Sequence, residues 1–343
     1  MQNRWTHTAA DEIEQLVHQS RLVGLEEDLV LWGGGNNSVK SVAVDLLGRA
    51  IEVMYIKSSG SDMKSIVPRQ FPAVRLDYIA PLRARDEEMS DQEMVDYLAR
   101  CLVDPASARP SIETLLHAFL PARAVLHTHA DAILALTNNR RREESVRACF
   151  GDSVIIVPYR RPGFRLSRDV ADRFDAQPDA AGLVLMNHGL ITWGESVEEA
   201  YARHIALVTR AEEYLAKQAA PAATAQGPAA GDAATAIAPR IRGALGAARP
   251  VVLELDDSQE VLAFLARPDA ERITQVGAAT PDHLLYTKRL PLFLRQGDEL
   301  PAAIDGYVER YQAHYQAHPS EHAMLDPLPR IVLMPGVGMW TAG

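Results

Sequence analysis

The chain has 343 residues, 47% of them hydrophobic and 23% charged, an ordinary globular balance that excludes a wholly disordered, fibrous or collagen-like protein. Lys and Arg number 35 against 45 Asp and Glu, a net charge of -10, so a nucleic-acid partner is not expected. Cys101 and Cys149 allow one disulfide by count but no disulfide scaffold. The N-terminus lacks a signal-like apolar core and no apolar run reaches about 18 residues, so a cytoplasmic protein with no membrane partner is expected.

Taken in chain order, the apolar spacing of Ile13, Leu16, Val17 and Val23 predicts an amphipathic helix over Asp11 to Val23. Leu29 to Trp32 reads as a short strand running into Gly33-Gly34-Gly35-Asn36-Asn37. Ser38 to Val44 and Ile51 to Ile56 read as strands, with Gly48 in the turn between them. Ser90 to Val103 reads as a helix, with Ser90 as N-cap and Glu93 at the capping-box position. Pro110-Ser111 opens a helix that Pro121 stops after Phe119. A strand over Ala124 to His129 and a helix over Ala130 to Thr137 follow. Val154 to Val157 and Leu183 to Met186 are further strands, and Glu198 to Lys217 is a long helix with acidic residues early and Lys late.

Residues 219–238 then break the composition with eleven alanines and no aromatic residue. A linker over 219–239 is therefore expected between a domain of residues 1–218 and a small α/β module of residues 240–343. In that module Pro250 to Leu255 reads as a strand and Ser258 to Ala266 as a helix. Thr280-Pro281 reads as an N-cap followed by Pro at the first helical position. The expected class is α/β in three layers, a central mostly antiparallel sheet covered by helices. No Gly-x-Gly-x-x-Gly follows a first strand, so a doubly wound nucleotide fold is disfavoured and no NAD is expected.

Chemistry concentrates in a few segments. On a strand, His127 and His129 of Val125-Leu126-His127-Thr128-His129 point the same way, which suits a divalent transition metal and equally two half-buried polar histidines. His188, in Asn187-His188-Gly189 at another strand end, would make a third ligand and leave a fourth position open, the catalytic zinc pattern. Glu113 sits in the first turn of a helix, either as an acid/base or as a plain complement to the positive helix end. The loops Gly33 to Ser38 and Lys57 to Asp62, with Lys40 and Lys57, could hold a phosphate, although each also reads as an ordinary turn. The basic runs Arg140 to Arg142 and Arg160-Arg161 read as solvated loop residues, one or two of which could lie near an anionic substrate. Lys288 and Arg289 read as a solvated helix end. His314, His318 and His322 read as exposed, because Pro319 disfavours a regular helix there.

In order along the chain, Gly-Gly-Gly-Asn-Asn-Ser-Val-Lys, Lys-Ser-Ser-Gly-Ser-Asp, Pro-Ser-Ile-Glu-Thr-Leu-Leu-His-Ala-Phe, His-Thr-His-Ala-Asp and Asn-His-Gly form a set that resembles the class II aldolase/adducin family over about residues 10–217. The sequence is similar in particular to the aldolase half of bacterial bifunctional rhamnulose-1-phosphate aldolase/short-chain dehydrogenase proteins. That likeness continues through Val154 to Phe164 and from Thr280 to Gly336.

The resemblance implies a zinc-dependent retro-aldol lyase of carbohydrate metabolism, with rhamnose catabolism the favoured setting. It would cleave a ketose, such as rhamnulose 1-phosphate, into a three-carbon ketone and an aldehyde through a metal-stabilised enediolate. It assigns His127, His129 and His188 as metal ligands and Glu113 as the catalytic acid/base. Gly35, Asn36, Ser59, Gly60 and Ser111 match phosphate-binding positions, while Ile112 departs from the small polar residue of some family aldolases. Zinc is implied, with another divalent transition metal as the substitute. So are a small sugar or sugar-phosphate ligand and a homo-oligomer, a tetramer for preference. An acid for the aldehyde oxygen is not assigned; Tyr159 and Tyr286 are weak candidates that read better as buried structural residues. The alternatives are an epimerase or decarboxylase on the same scaffold, or a non-catalytic adducin-like binding protein; Glu113 favours the aldolase, since family epimerases use a different acid. The chain is longer than a minimal aldolase module ending near Gln218 and too short to include a dehydrogenase half, so either a stand-alone aldolase or a truncated fusion is expected.

Overall fold

Among the described residues, seven strands carry the first part of the chain: β1 (Asn36–Val44), β2 (Ala50–Ile56), β3 (Ala73–Arg75), β4 (Ala124–Thr128), β5 (Val154–Val157), β6 (Gly182–Leu185) and β7 (Gly189–Gly194). The structure is a computed structural model that describes residues 1–6, 11–218, 231–246, 250–318, 320 and 322–343. The strands form one sheet in the order β3-β2-β1-β4-β7-β6-β5. Every pairing in it is antiparallel except β5 with β6. The expected mostly antiparallel sheet is therefore present.

The helices of this part are α1 (Glu12–Gly24), α2 (Leu76–Ile79), α3 (Asp91–Arg100), α4 (Thr114–Phe119), α5 (Asp131–Thr137), α6 (Arg142–Phe150), α7 (Phe164–Ala176) and α8 (Val197–Gln218). The two-residue period of the strands sorts them into layers. Leu126, Val184 and Leu190 join Leu16, Ile133, Val146 and Val208, which belong to α1, α5, α6 and α8. Val125, Leu183, Leu185 and Ile191 join Leu116, Leu166 and Val170 of α4 and α7 on the opposite face. Met54, Ile56 and Val74 join Ile79 and Leu98 of α2 and α3. Cys101 and Cys149 are both free and buried in separate clusters, so they form no disulfide.

Local signals fix several ends. Asp11 Oδ1 accepts from the backbone N–H of Ile13 at 2.8 Å, capping α1. Ser90 and Glu93 form the expected capping box of α3. Two expectations need correction. Leu29 to Trp32 is no strand: Leu29 N–H donates to Glu26 O and Gly34 N–H to Leu31 O, so the chain turns there and finds no ladder partner. The helix expected from Pro110 begins only at Thr114, because Ser58 and Pro110 instead form an antiparallel bridge. Helices α6 and α7 and strand β7 were not anticipated. In α7 the burial of Phe164, Val170, Ala171 and Phe174 follows the helical period, but charged residues interrupt the run. Among the described residues no helix is long and apolar enough to cross a membrane.

Contacts divide the chain into one unit of Met1–Ala219 with Ala279–Asp282, and a second of Ala220–Ala278 with His283–Gly343. The linker expected over 219–239 lies outside the described residues as far as 230. From Gly231 the chain is helical, α9 (Gly231–Leu245). After it come β8 (Leu253–Asp256), α10 (Gln259–Leu265), α11 (Ala270–Thr274), α12 (Pro281–Thr287), β9 (Leu292–Phe293), α13 (Leu300–Ala317), β10 (Ile331–Met334) and β11 (Gly338–Ala342). The second unit has a four-stranded sheet, β8-β11-β10-β9, with a core that includes Ile241, Leu292, Tyr307, Val332 and Trp340. Contrary to expectation, Lys288 is no solvated helix end: it is buried, and its Nζ donates to Leu328 O at 2.6 Å. His314, His318 and His322 are exposed.

Candidate metal centre

The sheet brings the three histidines together. His127 lies near the end of β4, paired with Asn36 on one side and Ile191 on the other. His129 follows just past the strand end, and His188 sits in the tight turn between β6 and β7. Asn187 adopts φ +58 in that turn, and its Nδ2 donates to Thr137 O at 3.1 Å and to Asn138 Oδ1 at 2.8 Å. At Gly189 an added Cβ would stand 2.1 Å from Thr128 O and 3.0 Å from the His127 ring, so only glycine lets β7 approach β4 here. One nitrogen from each of His127, His129 and His188 lies within 4.8 Å of the others, and all three residues are buried. The ring centroids are 4.9 to 5.2 Å apart.

Hydrogen bonds fix two of the tautomers. His127 Nδ1 lies 3.0 Å from Leu190 O, and a carbonyl can only accept, so Nδ1 carries the proton and Nε2 keeps its lone pair. His129 Nδ1 donates to Asp282 Oδ1 at 2.6 Å, which again frees Nε2. Both Nε2 atoms are buried without a hydrogen-bond partner. Burial is the largest influence on His127 and His188 and lowers both, His188 to about 3, so these imidazoles are neutral at neutral pH. Buried lone pairs on neutral imidazoles with no donor to satisfy them fit a divalent metal.

Glu113 closes the group. It is the N-cap residue of α4, but its side chain makes no capping hydrogen bond. Its Oε2 is 3.4 Å from His127 Nε2, and its Oε1 is 3.4 Å from His188 Nε2. Asn36 Nδ2 donates to Oε2 at 2.7 Å and to Ser111 Oγ at 3.2 Å. Oε1 has no hydrogen-bond partner. Burial opposes ionisation of Glu113, whereas the hydrogen bond donated by the Asn36 amide favours the carboxylate.

Of the other expected residues, Asn36 and Ser111 contact Glu113. Gly35 directly precedes β1 and lies against the carbonyl of His127. Ser59 N–H donates to Arg109 O and Ser111 N–H to Lys57 O, which joins the two short segments. Those two amides are thus committed to backbone partners, and Gly60 faces Gly33 across the junction. The buried Lys57 donates from Nζ to Gly33 O at 2.9 Å. Burial lowers its pKa to about 8, held up in part by Asp282, Asp62 and Glu113. Lys40 does not join this group; its Nζ donates to Leu120 O. Ile112 is partly exposed. Arg160 and Arg161 lie in a surface loop, as expected, and pair there with Asp169 and Asp91. Tyr159 and Tyr286 are exposed, not buried as expected.

Asp282 is the residue that sequence reasoning missed. An acidic residue in the first turn of a helix is ordinary, and 153 positions separate it from His129.

Residues 14–215 match the Class II Aldolase and Adducin N-terminal domain, and residues 230–343 match the second domain of class II aldolase. The chain is 37% identical over 355 aligned positions to a Bacillus subtilis (strain 168) protein named "Uncharacterized oxidoreductase YuxG", covering 96% of this chain and 51% of that protein. It is 32% identical over 124 positions to the methylthioribulose-1-phosphate dehydratase of Sorangium cellulosum (strain So ce56), covering 30% of this chain and 58% of the dehydratase. The chain thus spans about half the length of the curated relatives it matches. Among solved structures it is similar to the N-terminal class II aldolase domain of a conserved protein from Thermoplasma acidophilum, with 44% identity and a TM-score of 0.59, over 63% of this chain and 99% of that one. With the family match covering more than half of its residues, the chain belongs to the class II aldolase and adducin family.

Proposed function

We propose that the protein is a metal-dependent lyase that cleaves a ketose into a three-carbon ketone and an aldehyde. Deoxy-ketose 1-phosphates such as rhamnulose 1-phosphate are the favoured substrates, and zinc the favoured metal. The observation that carries this reading is the Glu113 carboxylate, 3.4 Å from His127 Nε2 and from His188 Nε2 and otherwise unpaired at Oε1. His127, His129 and His188 would hold the metal, which would supply Lewis acidity toward the carbonyl and neighbouring hydroxyl oxygens of the ketose.

The protein's own groups do the rest. Glu113 Oε1 is free to carry a proton to or from the carbon at which the bond breaks. The Asn36 amide holds the other oxygen, so the carboxylate presents one face. In this reading Lys57 would supply positive charge for a phosphate, and Gly35, Asn36, Ser59, Gly60 and Ser111 would complete its binding site. In this reading the working form is a homo-oligomer, a tetramer for preference, which light scattering would check.

A second reading has a specific support, the 32% identity to a dehydratase acting on a ketose 1-phosphate. Elimination of water would use the same histidines and acid/base but leave the carbon chain intact. The test is a panel of ketose 1-phosphates and free ketoses, incubated with and without zinc, with products identified. Zinc-dependent release of a three-carbon ketone and an aldehyde supports the aldolase. Release of water without chain cleavage, epimerisation, decarboxylation or no turnover at all would replace it.

A further inference from the structure

We infer that Asp282 is a positioning residue for the metal centre, orienting His129 so that its Nε2 is presented as a ligand. This rests on the reading of the three histidines as metal ligands.

Asp282 is 1% exposed, and both of its oxygens are engaged. Oδ1 accepts from His129 Nδ1 at 2.6 Å, and Oδ2 accepts from the backbone N–H of Leu31 at 2.8 Å. The bond to the backbone fixes the carboxylate, and the carboxylate fixes the imidazole. A buried carboxylate on Nδ1–H locks one tautomer and leaves the lone pair on Nε2, the atom left unpaired. His127 receives a weaker version of the same support, from the neutral carbonyl of Leu190.

Space has been left for this contact. A Cβ added to Gly34 would lie 1.8 Å from Asp282 Oδ1, so no side chain is tolerated beneath the carboxylate. The short segment that carries Asp282 has a second anchor: Asn138 Nδ2 donates to Ala279 O at 2.8 Å. The Oδ1 of the same Asn138 accepts from Asn187, the neighbour of His188. Residues 279–282 pack with the first unit, although the chain on both sides of them belongs to the second. Four residues reached late in the chain thus brace one metal-ligand candidate directly and connect through Asn138 to the turn that holds another.

The test measures zinc affinity of the full chain by chelator competition, together with the visible spectrum of the cobalt-substituted protein. Asp282→Asn, Asp282→Ala and Gly34→Ala are compared with wild type. The expected loss of zinc affinity is about 10–100-fold, larger for Ala than for Asn, because Asn keeps an acceptor for Nδ1–H without the charge. The cobalt bands should shift in the same order. Gly34→Ala keeps Asp282 but displaces its carboxylate, so it should reproduce the loss and provides the answer if Asp282→Ala fails to fold. Wild-type zinc affinity and unchanged cobalt bands in Asp282→Asn and Gly34→Ala would overturn the inference while leaving the metal reading intact. A wild-type protein that binds no divalent metal would overturn both.

Discussion

Asn36 Nδ2 donates to Glu113 Oε2 at 2.7 Å, tying the last residue before the β1–β4 ladder runs out to the carboxylate that faces the histidines. Asn36 pairs with His127 across the sheet, so one register position sets both His127 and the partner of Glu113. Asn36→Ala should leave Oε2 buried with no donor and let the carboxylate rotate. We expect a stability loss of about 1–3 kcal/mol and a fall in kcat larger than any rise in KM. Urea unfolding and steady-state kinetics check this; an unchanged kcat would show that the amide does not orient Glu113.

Glu113→Gln keeps the shape and removes the proposed proton carrier. Turnover should fall by about 100-fold or more. Metal content, measured on the same samples, should remain stoichiometric because the three histidines are untouched. Full activity in this variant would remove Glu113 from the chemistry.

Gly189→Ala tests the backbone approach that closes the centre. The added methyl would stand 2.1 Å from Thr128 O, a backbone atom with little room to yield. The expected cost is about 1–3 kcal/mol, accompanied by weaker metal binding as His127 and His188 move apart. A neutral effect on both would mean that the β4–β7 pairing adjusts without strain.

Much of this centre was legible in the sequence because it is built from local patterns. His127 lies on a strand that alternates, and His188 lies at the end of an apolar run. The positions of both follow from period and punctuation. The Gly-rich loop and the Lys57 segment were also visible as candidates. What could not be read was pairing over distance. Nothing near Asp282 in sequence points to His129, and an acid in a first helical turn is unremarkable. Leu29 to Trp32 misled for a related reason: apolar residues buried by a turning loop look like a short strand until the hydrogen-bond partners are known. Lys288 looked like a solvated helix end because its carbonyl partner, Leu328, lies 40 positions away.

Metal removal should be visible without any substrate. If zinc binds only the folded protein, zinc at 100 times its dissociation constant adds about 2.7 kcal/mol of stability. Wild-type protein should therefore melt at a higher temperature with zinc than with a chelator. His188→Ala should lose most of that difference while its chelated form melts near the chelated wild type. An equal zinc effect in both proteins would show that the stabilising ion binds elsewhere.

Two buried histidines outside the trio should make stability fall in mild acid. Thr192 Oγ1 donates to Ala200 O, so it accepts from His204 Nδ1–H; His204 Nε2 then accepts from the Thr128 hydroxyl. The ring is satisfied only when neutral. Burial lowers His204 to about 3, and it does the same to His117, whose Nδ1 is 2.8 Å from Ser38 Oγ. In the unfolded chain each returns to about 6.5. The unfolded state thus binds more protons than the native state between those values, so stability is complete above about pH 6.5 and is lost as pH falls toward 3. Each such histidine contributes a slope approaching about 1.4 kcal/mol per pH unit. With metal chelated throughout, urea unfolding between about pH 6 and 4.5 should show this decline in wild type. His204→Gln should flatten the decline by about one histidine's share, even if the variant is less stable at every pH. An identical slope in the variant would mean that His204 is protonated in the folded protein, and that its two threonine partners do not hold it neutral.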